Sequence, residues 1–278
     1  MKGYWLLLVP LLLLACGKPQ DRAEGERYVV LSPELAEVIS ALGAGDRIVG
    51  VTEECDYPTE LASLARVGKF GSLNREAVLA LKPDIVFTTA LEQEAISSEL
   101  RKLGLRVEQF YPRSLEEMLQ TVRRVGEVTG RSERAKELTD SLEAFILQMK
   151  GEAAGKPRPR VYIEIYRDPL MSVSDASFVG QLIETAGGDN IFSSLERDYA
   201  RIDAEDVIRA KPEIMICYSR DTLAGILARK GWQDIPALRN GRIYFEEDID
   251  PDLIQRASPR CKEGLLRLRE IFAQEAGD

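Results

Sequence analysis

Histidine is absent from this chain, and that absence narrows its chemistry more than any other feature. Without imidazole there is no Ser-His-Asp or Cys-His arrangement and no histidine metal site. Zinc and manganese, whose capture usually relies on imidazole, are disfavoured as ligands. Cysteine is scarce, at 4 in 278 residues, and no pair has Cys-x-x-Cys spacing, so a zinc or iron–sulfur centre has no support. No Gly-rich phosphate loop occurs. The apolar run Trp5 to Leu14 covers about ten residues, and a membrane-crossing helix needs roughly 20. Net charge is −9, which argues against nucleic acid as the main partner, since such proteins carry a basic face. The length suits two domains of ordinary size, and a chain 45% hydrophobic and 30% charged is normal for a globular protein.

What is present begins with a targeting segment. Lys2 supplies the positive start, the apolar run follows, and it ends Leu13-Leu14-Ala15-Cys16-Gly17. That ending resembles the bacterial lipobox, in which the cysteine is lipidated and becomes residue one after cleavage. The resemblance implies a signal peptide over residues 1–16, with Cys16 as lipid anchor on the outer side of a membrane. The alternative is an ordinary secretory signal with an incidental cysteine. Residues 17–26 are polar and read as a tether.

The rest of the chain is organised around residues 132–152. Ala135, Leu138, Leu142, Phe145, Ile146 and Met149 fall at helical steps and give one apolar stripe. A long helix is expected from Ser132, with Gly151 to Pro159 ending it. The sequence on its two sides is related. Asn74-Arg-Glu-Ala-Val-Leu-Ala-Leu-Lys-Pro-Asp-Ile-Val-Phe87 aligns without gaps on Asp203-Ala-Glu-Asp-Val-Ile-Arg-Ala-Lys-Pro-Glu-Ile-Met-Ile216. Each copy reads as an N-cap residue, two helical turns, a proline stop and a strand. A weaker echo pairs Leu42-Gly-Ala-Gly-Asp-Arg-Ile48 with Thr185-Ala-Gly-Gly-Asp-Asn-Ile191, each a helix, a glycine cap and a return to the sheet. Strands alternate with helices on both sides, which implies parallel sheets covered on both faces. The expected fold is α/β: two Rossmann-like lobes with parallel central sheets, residues 27–131 and 153–278, joined by a single long α-helix. Cys217 follows an apolar strand and reads as a buried small hydrophobe. Cys55 and Cys261 lie in polar contexts, and sequence leaves open whether they pair.

Cys55-Asp-Tyr-Pro58, Asn74-x-Glu76 with Leu81-Lys-Pro-Asp84, Ile202-x-x-Glu205 and Arg256-Ala-Ser-Pro-Arg260 carry a resemblance over nearly all of the chain beyond its signal. It resembles the substrate-binding proteins of bacterial ABC importers that take up vitamin B12, ferric siderophores and haem. The resemblance implies two lobes joined by a rigid helix, a ligand cleft between them, no enzymatic activity and no intrinsic cofactor. It implies a monomer that delivers a small-molecule ligand to a permease dimer with its ATPase subunits, docking through Glu76 and Glu205, one from each lobe. Physics agrees, since a carboxylate in the first turn suits the helix dipole. The simpler alternative is that both are helix-start residues only.

The resemblance is nearest to the vitamin B12 binders. It matches Phe70 and Tyr199 to cleft aromatics of the two lobes, and Asp252 with Arg256 to residues that contact the corrin amides or nucleotide loop. Two positions depart from that pattern: Glu54 stands in place of a tyrosine, and Thr89 in place of a tryptophan. Tyr166 and Met171, in the loop after the sixth strand, are further candidate contacts. Haem is disfavoured because Lys69 occupies the place of the usual tyrosine ligand. Lys69, Arg167 and Arg256 suit an anionic ferric siderophore, so the expected cargo is a metal chelate, cobalamin first and ferric siderophore second. Two rival classes remain. One is an envelope enzyme using Glu164, Asp168 and Asp175; the other is an adhesin without a small ligand.

Overall fold

The computed structural model describes residues 25–89 and 93–274. Cys16 and nearly all of the polar tether lie outside the described residues. The first lobe runs β1 (Tyr28–Val30), α1 (Pro33–Ala41), β2 (Ile48–Val51), β3 (Ala65–Arg66), the small hairpin β4 (Gly68–Lys69) and β5 (Ser72–Leu73), α2 (Arg75–Ala80), β6 (Ile85–Thr88), α3 (Glu94–Lys102) and β7 (Val107–Gln109). Five strands form a parallel sheet in the order β3-β2-β1-β6-β7. Every residue of β1 and β6 is buried. Tyr28 and Val30 join one apolar cluster and Val29 the other, on the opposite face of the sheet. This is why these strands read as continuous apolar runs with no polar alternation.

Two helices follow, α4 (Leu115–Val128) and α5 (Ser132–Ala153). The stripe of α5 is inward as its spacing predicts: Ala135, Leu142, Ile146 and Met149 are buried, and Leu138 and Phe145 pack partly buried against the same cluster. Each such Leu, Ile or Met contributes about 1.5–3 kcal/mol on leaving water. The helix ends within the stretch Gly151 to Pro159, one residue beyond the expected 132–152. The last turn continues to Ala153, and the chain turns away at Gly155, whose φ of 75° is open to glycine at no steric cost. Where α4 meets α5, a Cβ on Gly126 would lie 2.4 Å from the Ala135 methyl, so this crossing requires glycine.

The second lobe runs β8 (Arg160–Glu164), β9 (Tyr166–Arg167), β10 (Leu170–Val173), α6 (Phe178–Thr185), β11 (Asp189–Asn190), β12 (Tyr199–Arg201), α7 (Ala204–Ala210), β13 (Ile214–Cys217), α8 (Leu223–Leu227), α9 (Pro236–Arg239), β14 (Ile243–Tyr244), α10 (Asp252–Gln255) and α11 (Cys261–Ala273). Its central sheet is parallel, in the order β11-β8-β13-β14. Beside it lies an antiparallel sheet, β12-β10-β9. That second sheet has no counterpart in the expected all-parallel scheme.

Both echoes fold alike. Asn74 caps α2, its side chain accepting from the Ala77 amide at 3.0 Å; Asp203 occupies the same place before α7. Lys82 and Lys211, at φ 45° and 49°, end the two helices in the left-handed region. Each precedes a proline, which closes the helical region to the residue before it. In the second echo Gly43 and Gly187 take φ 73° and 97° after α1 and α6.

One apolar cluster runs through both lobes. It joins Tyr28, Phe87 and Met118 of the first half to Ile163, Leu182 and Leu265 of the second. Between α4 and α6 the Leu115 amide donates to the Gln181 side-chain oxygen at 2.9 Å. Arg123 bonds Thr139 at 3.2 Å and pairs with Glu143, and Arg269 pairs with Glu152. The lobes are thus fastened along a shared core as well as by one helix. Cys55, Cys217 and Cys261 are all free and buried. For Cys55 and Cys261 this corrects the polar setting read from their neighbours in sequence: Cys55 is buried in the loop after β2 and Cys261 at the first position of α11.

Candidate ligand cleft between the lobes

Parallel α/β sheets open a crevice at the carboxyl ends of their strands, where strand order reverses. In the first lobe that point lies between β1 and β6, in the second between β8 and β13. A cavity of about 390 Å³ lies between the lobes, within the range of small-molecule pockets. From the first lobe it is lined by Glu34 at the start of α1, Phe70, Thr89, and Tyr111-Pro112-Arg113 on the approach to α4. From the second come Phe178, Asp198, Tyr199 and Gln255-Arg256-Ala257.

Phe70 is held from behind. Its amide donates to both oxygens of Glu54, at 3.1 and 3.0 Å, and its carbonyl accepts from the Gln93 amide at 3.1 Å. Gln93 is fully buried, donates also to the Leu31 carbonyl at 2.7 Å, and accepts from the Thr89 amide at 3.0 Å. A single amide therefore ties the end of β1, the end of β6 and the Phe70 turn together, with its donors and its acceptor used. Nothing in the sequence marks Gln93, because its partners lie far away along the chain. Across the cavity, burial together with smaller effects of Tyr111 and the Asp198 charge pushes the Tyr199 phenol up to about 12. It is a neutral hydroxyl throughout the physiological range.

Arg256 is the most heavily engaged cation of the cleft. It pairs with Glu37 at 2.9 Å, Asp56 at 2.8 Å and Asp252 at 2.7 Å, and donates to the Glu54 carbonyl at 3.2 Å. Burial opposes its charge, but the hydrogen bonds to Asp56 and Glu37 and the Asp252 charge outweigh that and hold its pKa above the ordinary arginine value. Burial, opposed by Arg256 and aided by the Asp250 charge, raises the Asp252 carboxyl. For Asp56 burial acts upward, yet the Arg256 hydrogen bond and charge leave it below the usual carboxylate value.

Of the residues expected at the ligand, Phe70, Tyr199 and Arg256 line the cavity. Glu54 stands behind Phe70 and Asp252 behind Arg256, each spent on its neighbour. Tyr166 and Met171 belong elsewhere. They are not loop residues but cross-strand partners in the β9–β10 ladder, where Met171 also faces Arg201. Tyr166 is 55% exposed, and neither residue lines the cavity. Lys69 pairs at the surface with Glu53 at 3.7 Å, and Arg167 pairs with Asp221 at 3.2 Å.

Glu76 and Glu205 occupy the second positions of α2 and α7, the helices that lead into the equivalent strands β6 and β13. Both are exposed, and neither has an ion pair among the described residues. Their neighbours do pair, Arg75 with Glu99 at 2.7 Å and Asp206 with Arg209 at 3.0 Å. The three carboxylates considered for catalysis are separately employed. Glu164 is buried in a two-pronged pair with Arg229 at 2.6 and 2.7 Å, Asp168 sits in the β9–β10 turn, and Asp175 accepts from Asn190 at 3.0 Å. No cluster of metal-ligating side chains is present among the described residues.

A shared interlobe pocket, two parallel sheets and a spanning helix define a solute-binding protein. The periplasmic binding protein family matches the chain over residues 29–248, and the chain belongs to that family, whose members serve transport and are not enzymes. It is similar to an uncharacterized ABC transporter substrate-binding lipoprotein, YvrC, of Bacillus subtilis (strain 168), at 26% identity over 96% of each chain. A vitamin B12-binding protein of Vibrio parahaemolyticus is 23% identical over 89% of each. Among solved structures, a possible iron-binding (periplasmic solute-binding) protein of Staphylococcus epidermidis superposes with a TM-score of 0.79 at 25% identity, over 90% of this chain and 99% of that one. The haem-binding protein RhuT of Roseiflexus sp. RS-1 superposes with a TM-score of 0.77 at 25% identity, over 89% and 99%. The family's location is extracytoplasmic.

Proposed function

We propose that this protein is the lipid-anchored substrate-binding component of an ABC importer, that it captures cobalamin between its lobes, and that it docks on the permease through Glu76 and Glu205. The observation that carries the reading is the cavity with Phe70 on one wall, Tyr199 on the other and Arg256 beside them. A large flat ligand with polar edges suits aromatic walls and a few convergent polar groups. Charge separates cobalamin from the alternative, a ferric siderophore. Of Lys69, Arg167 and Arg256, only Arg256 borders the cavity, and three carboxylates already balance it. The other ionic groups on the wall, Glu34, Asp198 and Arg113, add no net positive charge. An anionic chelate finds little excess cation there, whereas the amide-rimmed corrin needs none. Haem is third, since Lys69 offers no tyrosine oxygen.

Thermal denaturation with cyanocobalamin, a haem and a panel of ferric siderophores tests the reading. A ligand at a hundred times its Kd stabilises the folded state by about 2.7 kcal/mol. A shift with cyanocobalamin alone supports the first choice, a shift with siderophores alone selects the second, and no shift with any chelate removes the cargo class. Cys16→Ser should move the protein from the membrane fraction to the soluble one.

A further inference from the structure

Glu37 sits on α1 with its side chain 1% exposed, where an unpaired carboxylate would be expensive to keep. Its charged partners all come from the other lobe and from one short turn between α10 and α11. Arg256 reaches it at 2.9 Å, Arg260 at 3.3 Å, and the Ser258 hydroxyl donates to its second oxygen. Arg260 also lies over the Tyr57 ring at 3.9 Å and so grips the first lobe twice. Arg256 and Ala257 of this turn border the cavity, Arg256 as the charged one, and Glu34, on the same helix as Glu37, borders it too.

We propose that Glu37 is a positioning residue for the ligand cleft: it fixes the Arg256 guanidinium at the cavity and ties the turn 256–260 to α1, so that ligand affinity and lobe–lobe contact are coupled through one buried carboxylate. The proposal rests on the cleft being the ligand site. An arginine presents its donors in a planar fork, so fastening two or three of them sets the direction of the rest. Without Glu37 the remaining carboxylate partners of Arg256 are Asp56, whose side chain is 64% exposed, and Asp252 on its own turn. The guanidinium then turns toward solvent and away from the cavity, Ser258 loses its bond to the first lobe, and Arg260 keeps there only its contact with the Tyr57 ring. The Arg-Ala-Ser-Pro-Arg motif is explained as a unit: three of its side chains converge on one acceptor.

Hydrogen exchange on the ligand-free protein tests the contact itself. In Glu37→Gln, the amides of Cys55, Ser258 and Cys261 should exchange at least about tenfold faster, the size of coupling found within one charge network, while β1, β6, β8 and β13 keep their protection. Ser258→Ala keeps all charges, should show a smaller rise at the same amides, and carries the test if Glu37→Gln does not fold. Unchanged exchange at these amides overturns the proposal. Cyanocobalamin then serves as the probe in a double-mutant cycle. Glu37→Gln and Arg256→Lys should each weaken binding roughly tenfold, and the double variant should be no weaker than the worse single one. Independent, multiplying losses overturn the coupling. If the unaltered protein does not bind cyanocobalamin, the cobalamin reading fails and the exchange measurement alone decides on Glu37.

Discussion

In the first lobe the crevice between β1 and β6 is braced by a neutral group, Gln93, with Thr89, Phe70 and Glu34 at the cavity, and the space stays open. In the second lobe the matching crevice between β8 and β13 is closed by charge. Glu164 at the end of β8 is fully buried and takes two bonds from Arg229, one from Tyr162 at 3.1 Å and one from Ser219. Arg229 also reaches Asp221 at 2.8 Å and lies 4.3 Å over the Trp232 ring. Two lobes built from related sequence thus use the same topological opening differently. One leaves it open; the other fills it with an ion pair and presents its cavity-facing side chains from β12 and the turn after α10. A duplicated scaffold fixes where an opening falls, and the side chains at the strand ends decide whether anything enters.

The largest expected effect breaks the charged plug. Glu164→Ala removes the buried partner of Arg229 and leaves that part-buried cation with Asp221 as its remaining carboxylate, and should cost about 3 kcal/mol, measured by urea unfolding. Gln93→Ala, its counterpart in the neutral crevice, should cost about 1–3 kcal/mol. Equal costs would erase the distinction drawn between the lobes. Next in size are the cavity walls. Phe70→Ala and Tyr199→Ala should each weaken cyanocobalamin binding by more than about 1 kcal/mol, as aromatic anchors do, with little change in stability; titration calorimetry reads this. The caps sharpen the comparison further. Asn74→Ala should cost about 1 kcal/mol because its side chain accepts a helix amide, whereas Asp203 makes no such bond, so Asp203→Ala should cost clearly less. Smallest on stability are the tip carboxylates. Glu76→Ala and Glu205→Ala should stay within about 0.5 kcal/mol of the parent, yet both should abolish permease-dependent uptake if they dock as proposed. Uptake unaffected by either change would return them to plain helix-start residues.

Acid should distinguish the charged regions from the neutral one. Burial acts to raise the Asp221 carboxyl, but the Arg229 hydrogen bond and the Thr222 amide leave it below its ordinary 3.8. A carboxylate whose folded pKa is depressed adds stability above the unfolded value and loses it as pH falls through the folded one. Asp221 and Asp56, the exposed partner of Arg256, therefore support the fold above about pH 4, and their contributions fade below it. Removing Asp221 should flatten the acid limb of the stability curve.

Much of this architecture was legible in the residues. The α5 stripe, the Asn74 and Asp203 helix starts, the Lys-Pro stops and the apolar strands are local signals, written within a few residues of where they act. The antiparallel β9–β10–β12 sheet was not legible, because β9 and β10 are short and joined by only Asp168 and Pro169, and β12 returns to them from a distant segment. Tyr166 and Met171 read as loop residues for that reason. Glu54 and Asp252 lie beside the cavity, bonded to Phe70 and Arg256 that line it, and sequence does not show which of two neighbours stands in front.

Sequence alone determined the two-lobed plan, the spanning helix and the exposed glutamate on each lobe, because periodicity and capping are decided by near neighbours. Tertiary structure alone decided which polar side chains face the interlobe cavity and which are consumed inside the protein. Glu37 meets Arg256 across 219 residues of chain and Glu164 meets Arg229 across 65. A buried charge takes whatever partner the fold brings to it, and that choice is made in space, not along the chain.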